Sequence, residues 1–252
     1  MDLQELLNIA KHASHEASLK ILEIYESGDF SIEAKSNNSP LTLADKAAHD
    51  IIISHLEKTG IPVLSEEGRK VSYEKRKSWD TLWIVDPLDG TKEFIKKNGE
   101  FTVNIALVQN GKPILGVVEA PVLETIYYGI VGEGAWRKSG NIEQRLEGIK
   151  ALDLSKVGLR VVASRSHLNQ DTQEFIDQLV NPEIVSMGSS LKFMMIAEKK
   201  ADIYPRFAPT MEWDTAAAHA IINSLDGKVV DIQNDLLIYN KENLLNPFFK
   251  VY

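Results

Sequence analysis

The sequence predicts a mixed fold, an N-terminal α+β half followed by an α/β half. Three patterns carry this. Two amphipathic helical stretches come first, antiparallel-sheet patterning runs from Trp79 to about Arg137, and strands alternate with helices after Gly148. At 252 residues the chain can bury a sizeable core, as one large domain or two small ones. The division expected is 1–148 and 149–252. The polar, Gly-punctuated stretch from Lys138 to Lys150 is the junction, and no flexible linker is evident.

Asp2 is suited to cap a first helix with Glu5 reaching back. Leu3, Leu6, Leu7, Ala10, Ala17, Ile21 and Ile24 form its apolar stripe, and Gly28 ends it. A second helix follows Pro40, with Thr42 as cap and Asp45 in the first turn. Its buried face is Ala47, Ile51, Ile52 and Leu56, before Gly60. Pro62-Val63-Leu64 is a short strand ending in Ser65-Glu66-Glu67, and Thr81 to Val85 is another. Phe101 to Val108 alternates, Asn110-Gly111 is a strong hairpin turn, and Ile114 to Val118 returns. Thr125 to Ile130 and Ala135 to Arg137 extend the sheet. In the second half Leu159 to Ala163, Ile184 to Met187, Ala201 to Tyr204 and Lys228 to Ile232 read as strands. Asp171 to Leu179, Ser190 to Lys199 and Trp213 to Ser224 read as the helices between them.

Composition narrows the function. A net charge of −8 argues against a broad nucleic-acid footprint, and would repel a phosphorylated substrate unless cations or a local basic pocket reverse the field. With no cysteine there are no disulfides, thiol nucleophiles or Cys-ligated metal centres. No apolar run approaches the roughly 20 residues of a spanning helix. The acidic, amphipathic start Met1-Asp2-Leu3-Gln4-Glu5 is unlike a signal peptide, so the cytoplasm is the default location.

The densest chemistry lies in Trp83-Ile84-Val85-Asp86-Pro87-Leu88-Asp89-Gly90-Thr91. A strand runs into two acids spaced three apart, a proline that fixes φ and a glycine that permits unusual backbone angles. Asp86, the Leu88 carbonyl and Asp89 would converge beyond the strand end as hard oxygen donors suited to Mg²⁺. Alone, such a run is more often an ordinary turn. Asp45, Glu66 and Asp214 each have an equally plain explanation as caps or loop acids. Together, oxygen donors from separate segments with no His/Cys partner set fit a multi-magnesium phosphatase site. Amides at Gly90 and Thr91, if they start a helical turn, would bind phosphate oxygens.

The chain resembles the inositol monophosphatase superfamily of Mg²⁺-dependent, lithium-sensitive phosphatases. The residues that carry this are Glu66-Glu67, Asp86-Pro87-Leu88-Asp89-Gly90-Thr91 and Trp213-Asp214, in that order. Within the superfamily it is most similar to the bacterial 3′(2′),5′-bisphosphate nucleotidases. That similarity rests on Val63-Leu64-Ser65-Glu66-Glu67, Asn98 through Leu107, Lys112 through Val118, Ser164-Arg165-Ser166-His167, Gly188 through Phe193 and Tyr204-Pro205-Arg206-Phe207. The resemblance implies a layered αβαβα sandwich of the sugar-phosphatase type.

It also implies roles. Glu66, Asp86 and the Leu88 carbonyl would hold a first Mg²⁺, and Asp86, Asp89 and Asp214 a second, with a third, weaker ion near Glu66 when substrate is present. Asp45 and Thr91 match the pair that orients and deprotonates the attacking water, so Asp45, Thr91 and Glu66 form the expected catalytic set. Gly90, Thr91, His167, Ser189, Lys192 and Arg206 match positions that contact substrate. The activity implied is hydrolysis of adenosine 3′,5′-bisphosphate (PAP), or of its sulfated form PAPS, in sulfate assimilation, by a monomer or homodimer. Peripheral inner-membrane association is known for some relatives, but this chain has no basic amphipathic helix to support it. An inositol or sugar monophosphatase would share every metal ligand, and a nucleotide sensor would not need the water-activating pair. Read singly, Lys192 and Arg206 are ordinary surface charges and His167 a loop histidine. His12, His15, His49, His55 and His219 form no convincing ligand set and are taken as structural, and Trp83 and Trp136 as core.

Overall fold

Leu82 and Ile84 belong to one apolar core and Trp83 and Val85 to another, so this strand is buried on both faces. The structure is a computed structural model that describes residues 1–28, 33–34, 40–68, 71–163 and 169–252. The first half contains α1 (Leu3–Ser27), β1 (Glu33–Ala34), β2 (Pro40–Leu41), α2 (Leu43–Leu56) with a 3₁₀ turn (Glu57–Thr59), β3 (Val63–Ser65), α3 (Tyr73–Arg76), β4 (Thr81–Asp89) and α4 (Thr91–Ile95). It continues with β5 (Thr102–Gln109), β6 (Lys112–Ala120), β7 (Thr125–Ile130), β8 (Gly134–Ser139) and β9 (Ile142–Arg145). The second half contains β10 (Arg160–Ala163), α5 (Gln170–Asp177), β11 (Glu183–Ser186), α6 (Leu191–Ala197), β12 (Tyr204–Arg206), α7 (Glu212–Asn223), β13 (Val229–Asp231) and β14 (Phe249–Val251).

Strands β3 to β9 lie in chain order in one seven-stranded sheet, antiparallel except for the β3–β4 pair. Helices α1 and α2 cover one face through Leu7, Ala10, Ile21, Ala48 and Ile52. Helices α6 and α7 cover the other through Leu191, Phe193, Ala217 and Ile221. Gly116 on β6 lets α7 lie close, because an added Cβ would sit 2.1 Å from the Ala217 carbonyl oxygen. Beyond α6 and α7 come β12, β14 and β13, with the parallel pair β10 and β11. Val162 on β10 faces the α6/α7 core, while Val161 packs with Ile176 of α5. The layers are therefore αβαβα.

Local signals appear as expected at most ends. Asp2 and Glu5 form a capping box, and Gly28 closes α1 in a left-handed conformation. Asn110 and Gly111 both take positive φ, 49° and 73°, in the β5–β6 hairpin. Trp83 is fully buried, and Trp136 is partly buried and stacked on Tyr128. Three readings need correction. The stretch expected as a polar junction contains the β8–β9 hairpin. Strand β12 starts at Tyr204, where the predicted strand ends. The C-terminal β14 was not foreseen, although it is the central strand between β12 and β13. Three residues are too few for alternation to show.

Candidate active site

β4 does not stop at Val85. It continues through Asp86-Pro87-Leu88-Asp89, correcting the expected turn, and breaks register there. Asp86 pairs with Asn104 and Asp89 with Thr102, so Pro87 and Leu88 oppose only Val103. This is a β-bulge, a place where a strand tolerates proline. Its effect is geometrical. Residues three apart on a regular strand face opposite sides, but Asn104 and Thr102 share a face, and the bulge turns Asp86 and Asp89 to it together. Asp86 is buried, and its Oδ1 accepts the Leu88 amide at 3.1 Å. On the neighbouring parallel strand Ser65 pairs with Val85, and the Glu66 amide donates to the Val85 carbonyl (3.1 Å), which sets Glu66 beside Asp86.

Asp45 completes the capping box of α2 and also meets Thr91. It is the third residue of α2, and its Oδ2 accepts from the Thr42 amide (2.7 Å) and hydroxyl (2.5 Å). Its Oδ1 accepts from the Thr91 hydroxyl at 3.1 Å, with the Leu88 carbonyl 3.3 Å from that hydroxyl. Thr91 opens α4 directly after Gly90, whose φ of 94° turns the chain from strand to helix.

Asp89 is held from the other half of the chain. Its Oδ2 accepts from the Ser189 hydroxyl (2.5 Å), the Ser190 amide (2.7 Å) and the Ser190 hydroxyl (2.8 Å). Asn104 Nδ2 donates to Ser190 Oγ at 2.9 Å, and Thr102 and Ser189 share a hydroxyl contact of 2.7 Å. Gly188 makes the approach possible, since a Cβ there would lie 2.8 Å from the Glu100 carbonyl oxygen. The start of α6 thus holds the Asp89 carboxylate.

A cavity of about 610 Å³ opens beside these groups. Asp89, Gly90, Ser189, Lys192, Arg206 and Asp214 line it, so six of the expected residues meet there. Asp214 is the third residue of α7, not its cap, and its Oδ2 accepts the Met211 amide at 2.8 Å. The start of α7 is anchored by the fully buried Glu212, which accepts from the Asn240 and Lys241 amides and the Lys241 ammonium. Burial, then the charges of Asp89 and Glu66, push the Asp214 carboxyl up to about 8. Carboxylates that press on one another in this way fit a divalent cation, and the donors are all hard oxygens of the kind Mg²⁺ takes.

Lys192 and Arg206 supply positive charge on the same lining. Lys192 Nζ donates to the Ser189 carbonyl at 3.1 Å, and burial holds its pKa below the usual lysine value. Arg206 donates to the Pro209 carbonyl at 3.3 Å, and its Nε is buried without a hydrogen-bond partner. Such a guanidinium is ready for an anion.

Asp45, Glu66, Asp86, Leu88 and Thr91 do not line this cavity but sit along its sheet side. His167 lies outside the described residues. Ser189, expected at the substrate, gives its hydroxyl to Asp89 and Thr102. Sequence reasoning passed over Thr102 and Asn104 as parts of the site. It also passed over Lys92 and Lys96, cavity-lining residues one turn apart, in the first turn of α4 and at its C-cap. That i, i+4 spacing was the available signal; the Asp89 network offered none.

Comparison with known proteins agrees with this geometry. The chain matches the inositol monophosphatase family over residues 2–247. It is 44% identical to the 3′(2′),5′-bisphosphate nucleotidase CysQ of Salmonella typhimurium, covering 99% of this chain and 98% of that relative. The CysQ nucleotidase of Escherichia coli strain K12 is 43% identical over the same shares. The crystal structure of CysQ from Bacteroides thetaiotaomicron superposes with a TM-score of 0.88 at 48% identity, covering 99% of this chain and 97% of that one.

Proposed function

The chain belongs to the inositol monophosphatase family, and we propose that it removes the 3′-phosphate of PAP, giving AMP and inorganic phosphate. It is a 3′(2′),5′-bisphosphate nucleotidase, linked through its CysQ relatives to sulfate assimilation, on the family's layered αβαβα fold. Members of the family are metal-dependent phosphatases. The observation that carries the reading is one cavity with acids and cations on its lining. Asp89 and Asp214 would hold cations against the phosphate that reacts, while Lys192 and Arg206, on the same lining, would hold a second phosphate.

Glu66, Asp86, Asp89, Asp214 and the Leu88 carbonyl would hold two Mg²⁺ ions, and a third, weaker ion would join near Glu66 when substrate is present. Bound there, the ions would supply charge stabilisation at the attacking and departing oxygens. The remaining work falls to the chain. Thr91, donating to Asp45, presents its oxygen to a water, and Asp45 takes the water's proton through that hydroxyl. The water oxygen bonds to phosphorus as the bond to O3′ breaks, and O3′ leaves with a proton from solvent. Ser189 and Ser190 keep Asp89 in one rotamer, and Lys192 and Arg206 fix the uncleaved 5′-phosphate. PAPS presents the same 3′-phosphate and is a second substrate.

The test is phosphate release from PAP, PAPS, inositol 1-phosphate and fructose 1,6-bisphosphate, side by side, with Mg²⁺ and with chelator. PAP should have the highest kcat/KM, no substrate should turn over without metal, and lithium should inhibit. Equal kcat/KM for inositol 1-phosphate and PAP would overturn the nucleotidase assignment.

A further inference from the structure

Away from the carboxylate site, the structure joins two histidines that the sequence reading took as structural, with no convincing ligand set. His12 and Glu16 lie one turn apart on α1, and His55 is in the last turn of α2. His12 Nε2 is 3.0 Å from Glu16 Oε1, and His55 Nε2 is 2.7 Å from Glu16 Oε2. The imidazole rings meet edge to face, with centroids 5.1 Å apart. One donor atom from each residue lies within 4.8 Å of the other two. We propose that His12, Glu16 and His55 form a second metal site, for a transition cation such as Zn²⁺, that clasps α1 to the end of α2.

The donor set is the first argument. Two imidazole nitrogens and one carboxylate oxygen suit Zn²⁺, Co²⁺ or Ni²⁺, whereas Mg²⁺ prefers the all-oxygen site. Geometry is the second. Tetrahedral bonds of about 2.0–2.1 Å put neighbouring ligand atoms about 3.3 Å apart. The nitrogen–oxygen separations, 3.0 and 2.7 Å, run to the two oxygens of Glu16, and one donor atom from each residue already lies within 4.8 Å of the others. Both Nε2 atoms converge on a single carboxylate, so rotamer changes that bring the three donors to about 3.3 Å of one another would seat a cation in place of the two shared protons. Three protein ligands would leave the fourth position to water.

The placement defines what the clasp does. It binds the end of the helix whose first turn carries Asp45, about 15 Å away at 1.5 Å per residue. It should therefore stabilise the fold and leave the chemistry alone. Lys58 also acts on Glu16, and its charge opposes binding.

The experiment is calorimetric titration of Zn²⁺ into the intact protein, with Mg²⁺ in excess to fill the carboxylate site, together with thermal melts and Co²⁺ absorption spectra. One equivalent should bind, raise Tm and, as Co²⁺, give the intense visible bands of four-coordination. His55→Gln and His12→Gln should each weaken binding by about tenfold or more and cancel the rise in Tm, with phosphatase activity unchanged. Zn²⁺ binding that both variants retain, or that excess Mg²⁺ abolishes, would overturn the proposal. So would weak six-coordinate Co²⁺ spectra in the wild type.

Discussion

On the sheet side of the cavity, Asp45, Asp86 and Thr91 take their positions from rules that operate within a few residues. One is the third residue of a capped helix, one opens a bulge, and one follows a glycine into α4. On the facing side, Ser190, Lys192, Arg206 and Asp214 come from three separate segments of the second half and meet only through packing. On the function proposed above, the two sides would divide the work. The sheet side, with Asp214 opposite, would act on any phosphate ester, whereas Lys192 and Arg206 would read what else the substrate carries. Asp89 belongs to both, being placed by the bulge and held by Ser189 and Ser190.

If that division is right, the largest loss should follow Asp89→Asn. Turnover of PAP and of a monophosphate should fall together by about a thousandfold or more, in a protein whose circular dichroism is unchanged. A folded variant with near-normal kcat in saturating Mg²⁺ would remove Asp89 from the metal-binding set. Lys192→Ala should separate the substrates. KM for PAP should rise about ten- to hundredfold, as for a lost charge-assisted contact of roughly 1.5–3 kcal/mol, while monophosphate hydrolysis persists. An equal effect on both esters would show that Lys192 does not read the second phosphate.

Asn104→Ala probes the tie between the two sides. Its amide donates to Ser190 Oγ, which in turn donates to Asp89, so kcat should fall by about tenfold on both substrates with KM nearly constant. A change confined to KM for PAP would move Asn104 into the specificity wall.

The mildest test concerns α7, which carries Asp214. His219 is buried there with Nδ1 2.9 Å from the Tyr239 hydroxyl, and burial lowers its pKa to about 3. Unfolded, it titrates near 6.5, so between those values the unfolded chain binds the extra proton. Stability is then complete above about pH 6.5 and falls as the pH drops towards 3, by up to about 1.4 kcal/mol per unit. Denaturant melts from pH 7 to 5 should show this slope in the wild type and a flatter one in His219→Gln. Parallel slopes would mean that His219 is not the titrating group.

Much of the first half was legible in the sequence because its signals are satisfied nearby. A capping acid lies three residues from its partner, and Asn110-Gly111 closes a hairpin by its own backbone preferences. The plain reading of Asp45 as part of a cap holds through Oδ2, and it leaves Oδ1 with Thr91 for the role proposed above. Even in this half, the bulge at Pro87 and Leu88 escaped notice, because it is defined by the strand opposite.

By itself, the sequence determined the mixed class, the helix starts, the hairpin and, through its acid motifs, the kind of phosphatase this chain resembles. Only the tertiary structure decided which residues hold Asp89, that β14 lies at the centre of its sheet, and that His12, Glu16 and His55 converge. The reason is distance along the chain. Ser190 grips Asp89 across 101 residues and His55 reaches Glu16 across 39. No local pattern encodes a meeting of that kind; it follows from which faces the packed layers bring together.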